Sequence, residues 1–254
     1  DTTLDPAVRT IEPGCYGIQP YVIKRTVDVG GQPNDAMTVM WRTRGGQQYE
    51  YAAAVQYRDE TEAWSDPIQE SQATDKHEVD LVFHPETGLK WDTLYFYRVQ
   101  RRDESWTVTN FFRTPIPLGT SVPFSFLVYG DNRTKPERHT SVVQSILDNS
   151  FDVFDPPRFV LHSRDYTDAN SGDSVWRTEF FKPVAALLPG MPIYPCPGNH
   201  EYLGGGISIF RDFFPCDWEL ASGACYLSFD YGRCRFIIYD TDDLGDTQIG
   251  WLGD

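Results

Sequence analysis

Asp131, Asp165 and Asn199 are the residues best placed to do chemistry, because each closely follows an apolar run with the character of a strand. Phe124–Tyr129 runs into Gly130-Asp131-Asn132-Arg133, Arg158–Ser163 into Arg164-Asp165-Tyr166-Thr167-Asp168, and Pro192–Cys196 through Pro197-Gly198 into Asn199-His200-Glu201. Strands laid side by side in one sheet would bring these three followers to a single rim, where ligand sites of open α/β sheets lie. Two carboxylates and an amide oxygen are hard donors, the kind a divalent cation takes. Arg133 adds a guanidinium to the first of these loops, for which a solvated surface role is one account. His162, three residues before Asp165, reads as a packed, hydrogen-bonded imidazole rather than a ligand.

The elements that must position these residues follow from hydrophobic period. Pro136 can open a helix whose Val142, Val143, Ile146 and Leu147 recur at helical spacing. A second helix is expected over Asp173–Leu188, with Val175, Trp176, Phe180, Val184 and Leu187 on one face and a kink at Pro183. Strand and helix thus alternate as β-α-β-α-β, which gives a mostly parallel sheet with its working loops on one edge. Ala224–Asp230 and Arg235–Asp240 read as two further strands joined at Tyr231-Gly232-Arg233.

Upstream the pattern is different. Tyr21–Lys24, Met37–Thr43, Tyr51–Tyr57, Val79–Phe83 and Leu94–Val99 are short, rich in aromatic and β-branched residues, and separated by Gly, Pro, Asp or Asn, as in a β-sandwich. Phe111–Pro115 reads as its last strand and Ile116–Val122 as a linker. The expected division is an irregular segment over 1–19, an all-β sandwich over 20–118 and an α/β domain over 119–254. Exposed aromatics such as Trp64 and Trp106 offer the sandwich a surface for carbohydrate or protein.

Composition narrows the partners. The 254 residues carry a formal charge of −15 with a pI near 4.6, which argues against a nucleic-acid backbone or an anionic membrane surface. No apolar run reaches the length of a membrane span, and Asp1-Thr2-Thr3-Leu4-Asp5 has neither the basic nor the apolar part of a signal peptide, so a soluble, already processed chain is expected. None of the five cysteines forms a Cys-x-x-Cys pair. Cys216 and Cys225 could close a short loop as a disulfide, which would favour export, or stand as two buried thiols; Cys15, Cys196 and Cys234 read as packed or unpaired.

The order Gly130-Asp131, an apolar strand ending at Asp165, then Gly198-Asn199-His200-Glu201 resembles the calcineurin-like metallophosphoesterases, in particular the purple acid phosphatase-like branch with a fibronectin type III-like N-terminal domain. Thr87–Tyr97 resembles the fibronectin turn in which a leucine precedes a strand of alternating tyrosines, and Gln248-Ile249-Gly250-Trp251-Leu252 resembles the family's Gln-x-x-Trp-Leu helix start. The resemblance implies a four-layer α/β/β/α catalytic domain, incomplete at its C-terminal end, and metal-dependent hydrolysis of phosphate mono- or diesters by a secreted, extracellular or periplasmic protein whose signal peptide lies outside this chain. It implies two divalent ions about 3.5–4 Å apart, with manganese, zinc, iron, magnesium and calcium all open. Asp131 would hold the first, Asp165 would bridge both as the catalytic carboxylate, and Asn199 would hold the second. His200 would bind substrate or protonate the leaving oxygen, and Arg133 would contact the phosphate.

Several positions depart from the family's pattern. Arg164 stands where the family has a glycine, Arg133 where it has a histidine, and Asp168 where its purple members have an iron-binding tyrosine. His200 is the last histidine of the chain, so the family's later histidine ligands have no counterpart. These departures imply a single weakly held cation or none, with activity impaired. The alternative is a non-catalytic extracellular structural or assembly protein that keeps the phosphatase scaffold. In either case the open sheet edge at Phe236, Ile237 and Ile238 is expected to be covered by a continuation of the polypeptide, an identical copy or a second chain.

Overall fold

A computed structural model describes residues 16–29, 32–43, 53–70, 75–101, 104–149, 156–169, 171–218 and 225–253. The fold is mixed and β-rich. Strands β1 (Tyr16–Val29), β2 (Gln32–Thr43) and β5 (Lys76–Val82) form one antiparallel sheet, ordered β1-β2-β5; β3 (Ala54–Arg58), β4 (Ile68–Gln69), β6 (Leu94–Val99) and β7 (Asn110–Arg113) form another, ordered β4-β3-β6-β7. Period-2 alternation explains the pairing: along β5 and β6 every second residue is buried. Val39, Trp41 and Leu81 from the first sheet meet Val55, Tyr95, Tyr97 and Phe112 from the second in one apolar cluster. The first strand corrects the sequence reading, since β1 already begins at Tyr16 within the stretch expected to be irregular. The rest of that stretch, with Cys15, lies outside the described residues, as do Tyr51, Ala52 and Ala224 from the expected strands.

Beyond residue 120 lie β8 (Leu127–Gly130), β9 (Val160–Ser163) and β10 (Ile193–Cys196), parallel and ordered β10-β9-β8. They are followed by the hairpin β11 (Leu227–Tyr231) and β12 (Cys234–Ile238). Helix α1 (Pro136–Asn149) packs through His139 and Val143, with Ile146 and Leu147 partly buried, whereas Val142 is 46% exposed. Val142 was expected on the packed face, but it lies about 100° around the helix from Val143 and points outward. The helices α3 (Ile207–Phe213) and α4 (Asp246–Gly253) complete this half.

The long helix expected over Asp173–Leu188 is not continuous. Helix α2 (Asp173–Trp176) passes into a π-turn at Arg177–Phe181, where the Lys182 amide reaches back five residues to the Arg177 carbonyl, and then into hydrogen-bonded turns. Pro183 has no amide to offer the carbonyl of Glu179, and its ring crowds that carbonyl. His139 contacts the Glu179 carbonyl through Nδ1 at 3.3 Å, so α1 supplies the partner that the proline withholds. The sequence marked this break; its depth came from the packing.

The sheet β1-β2-β5 packs on both faces along β2 and the Tyr21–Ile23 part of β1. Val22, Met37, Val39 and Trp41 face the cluster shared with the second sheet, while Tyr21, Ile23 and Met40 join the core built on Trp176, Phe180, Phe210 and Phe214. Polar contacts lock this second packing. The Tyr21 hydroxyl donates to the Phe213 carbonyl at 2.7 Å, and Arg42 donates to Asp173 at 2.9 Å and to Asp212, with its guanidinium 4.2 Å from the centre of the Phe213 ring. Cys216 and Cys225 carry free thiols, and burial pushes the Cys225 thiol up to about 12.

Candidate functional site at the parallel sheet edge

The register of the parallel sheet sets the site. Gly130, Ser163 and Cys196 stand level across β8, β9 and β10, so Asp131, Asp165 and Asn199 lie one, two and three residues beyond a common line. The ladder continues into the loops: the Asp131 amide donates to the Arg164 carbonyl at 3.0 Å, and the Arg164 amide to the Cys196 carbonyl at 2.9 Å. Gly198 must be glycine here, because a Cβ would lie 2.3 Å from Asp165 Oδ1 and 2.6 Å from the Arg164 Cβ.

The backbone of these loops is left-handed at four non-glycine positions: Asp131 (φ 54°), Thr134 (φ 68°), Arg164 (φ 67°) and Asp165 (φ 54°). Aspartate visits this region with local hydrogen-bonding help, whereas a long side chain such as arginine incurs roughly 1–2 kcal/mol. Thr134 and Arg164 are therefore the strained members, and Arg164 stands at the position where the resembled family carries glycine.

Asp165 is fully buried, and its two oxygens differ. Oδ2 receives Nη2 and Nε of Arg164 at 3.2 and 3.3 Å and faces Nη1 of Arg133 at 3.5 Å. Oδ1 has no hydrogen-bond partner. Arg164 Nη2 also donates to Asn199 Oδ1 at 3.1 Å, and Arg133 Nε lies 3.8 Å from Asp131 Oδ1. The three candidate ligands are thus brought together, with guanidinium groups between them. The Asp165 carboxylate, acting by charge and hydrogen bond, raises the pKa of Arg164 further. Arg133, read as a substrate contact or a solvated surface residue, lies with its guanidinium beside Asp131 and Asp165. Among the described residues no group of three or more His, Cys, Asp or Glu is gathered; the trio here has an amide as its third member.

Glu201, given no role from the sequence, holds the two inner loops together. Its Oε2 accepts from the amides of Gly198 at 2.8 Å and Asp165 at 3.0 Å, and Oε1 accepts from the amide of Tyr166 at 2.9 Å. Burial lifts its carboxyl to about 7, against the pull of those three amides. A signal existed, since a glutamate three residues after the start of a helical turn has capping-box spacing.

His200 sits in a 3-10 turn over Asn199–Tyr202, with Nδ1 2.6 Å from the Asp168 carbonyl. That contact makes Nδ1 the donor and fixes the ring's orientation. His162 is a packed imidazole: it lies against Tyr166, bonds to the side-chain oxygen of Asn132, and burial holds its pKa well below the usual value. Asn132 donates its amide to the Tyr166 carbonyl at 3.3 Å, so both ends of that side chain are engaged. Tyr166 points into the core, donating to the His162 carbonyl at 3.2 Å.

No protein-family model matches the chain and no curated protein matches it.

Proposed function

We propose that the chain is a calcineurin-like metallophosphoesterase of the purple acid phosphatase-like branch, hydrolysing phosphate mono- or diesters. In this reading the two antiparallel sheets are its fibronectin-like domain, and the half beyond residue 118 belongs to its catalytic domain. The observation that carries the reading is the convergence of Asp131, Asp165 and Asn199 on one sheet edge, zipped by backbone bonds across three loops.

The donor set suits a hard divalent cation. All three side chains offer oxygen; the fully buried Asp165 keeps Oδ1 without a donor, while its Oδ2 and Asn199 Oδ1 meet across a single guanidinium nitrogen, the place a cation would take. Asp131, Asp165 and Asn199 would hold it. When bound, such an ion supplies Lewis-acid charge neutralisation at the phosphoryl oxygens. The chain's own contribution is positioning and proton delivery. Glu201 fixes the loops that carry Asp165 and Asn199, and the Asp168 carbonyl aligns the His200 ring by taking its Nδ1–H, so that the doubly protonated ring would give the proton on Nε2 to the leaving oxygen and the neutral ring would remain.

A second reading, a non-catalytic assembly module on the same scaffold, is favoured by one observation: a guanidinium lies between Asp165 and Asn199. One assay decides between the two. Hydrolysis of p-nitrophenyl phosphate and its bis-ester is measured with added manganese or zinc, beside Asp165→Ala. Turnover in the parent that Asp165→Ala loses is expected; equal background rates in both would leave the scaffold reading and remove the enzyme.

A further inference from the structure

The contacts of Arg164 put a positive charge against the oxygens that a shared cation would use. The backbone of this residue is pinned on both sides, its amide to Cys196 and its carbonyl to Asp131, so only the side chain can move. One nitrogen, Nη2, touches both Asp165 Oδ2 and Asn199 Oδ1, at 3.2 and 3.1 Å. Divalent cations take oxygen at about 2.0–2.6 Å. An ion shared by these two oxygens would have to occupy the place between them that Nη2 now fills.

Building on the phosphoesterase reading above, we propose that Arg164 is a tethered competitor for the cation place shared by Asp165 and Asn199, and that a divalent ion enters only when this guanidinium leaves. Arg133 also faces Asp165 Oδ2, but the two arginines are held differently. The side chain of Arg164 is 55% exposed and that of Arg133 31%, with the Arg133 Nη1 atom buried. Arg164 has solvent to swing into and is the one that yields. The cluster is not a ready-made anion site either. Two guanidiniums stand against Asp131 and Asp165, and Asp242 also acts on the charge of Arg164, so no surplus positive charge is left for an oxyanion.

A site that is open for about a tenth of the time binds its ligand about tenfold more weakly than one that is always open. Replacing Arg164 by glycine removes the competitor and suits the left-handed backbone, so the fold is retained. The test is a titration of the whole chain with manganese, followed by calorimetry and by the loss of the free-ion electron paramagnetic resonance signal, on the parent, Arg164→Gly and Arg164→Gly/Asp165→Ala. About tenfold tighter binding by Arg164→Gly, abolished in the double variant, is the expected result. Equal affinity in the parent and Arg164→Gly, still dependent on Asp165, overturns the competitor and leaves the metal site standing. Absence of binding in all three overturns both. Arg164→Asn, neutral and tolerant of the same φ, gives a second comparison with the same expected gain should the glycine variant fold poorly.

Discussion

Arginines occupy two regions of this molecule under opposite conditions. On the outer sheet, the guanidinium of Arg98 lies 4.3 Å from the centre of the Trp64 ring and 4.8 Å from that of Trp106, and Arg58 lies 5.3 Å from Trp64 and 4.8 Å from Phe96. These side chains stand on ordinary strand backbone, and Arg98 also bonds to Gln56 Oε1 at 2.7 and 3.0 Å. The tryptophans expected to receive a carbohydrate or protein are stacked against the chain's own arginines. At the parallel edge, Arg164 stands on left-handed backbone and faces a buried carboxylate with one oxygen left over. One arrangement satisfies its own groups, whereas the other combines strain with an incompletely matched charge. That combination, more than the presence of charged residues, is what separates a candidate site from a stabilising surface.

The contrast can be broken most forcefully at Glu201. This single buried carboxylate serves three amides, so Glu201→Ala is expected to lower unfolding free energy by about 3–5 kcal/mol, measured by urea denaturation. A loss below about 1 kcal/mol, the scale of one exposed cation–π contact, would erase the difference between the two regions.

A somewhat smaller effect is expected from pH. Burial holds His139 at about 4, below its ordinary 6.5. As pH falls, the unfolded chain takes up this proton before the folded one does. The stabilisation is therefore complete above about 6.5 and is lost on descending to about 4, on the order of 3 kcal/mol. His162, depressed in the same direction, adds to the slope. Urea midpoints at pH 7 and pH 4 should differ less in His139→Gln than in the parent; identical slopes would show that the buried imidazole is not the cause.

The smallest effect belongs to the outer sheet. Arg98→Ala should cost about 1 kcal/mol, through lost cation–π contact and the packing of its aliphatic stem. Hydrogen exchange after that change should rise only around Trp64 and Trp106 and leave the loops at Asp131, Asp165 and Asn199 as they were. A response in those loops would mean that the two regions are coupled.

Much of this was legible residue by residue. Alternating burial in β5 and β6 follows the sequence period, and Gly232, at φ 60°, turns the hairpin where Tyr231-Gly232-Arg233 was read as a turn. Pro183 announced its break in the helix, though not a π-turn, because the extra bond depends on what packs around it. Val142 misled because helical spacing places a stripe only to within one neighbour. The outward turn of Val142 follows from what α1 meets on its other face, where His139 and Val143 are buried.

What the sequence determined by itself was local: where most of the strands lie, though not their ends, and that Asp131, Asp165 and Asn199 follow three of them. What only the tertiary structure decided was partnership across the chain: Glu201 with the amides of Asp165 and Tyr166, His139 with the carbonyl of Glu179, and Arg164 with both Asp165 and Asn199. Backbone preference and hydrophobic period act over a few neighbouring residues and can be read along the chain. A charged side chain finds its partner only when packing has closed the loops and removed the water that would otherwise compete for it.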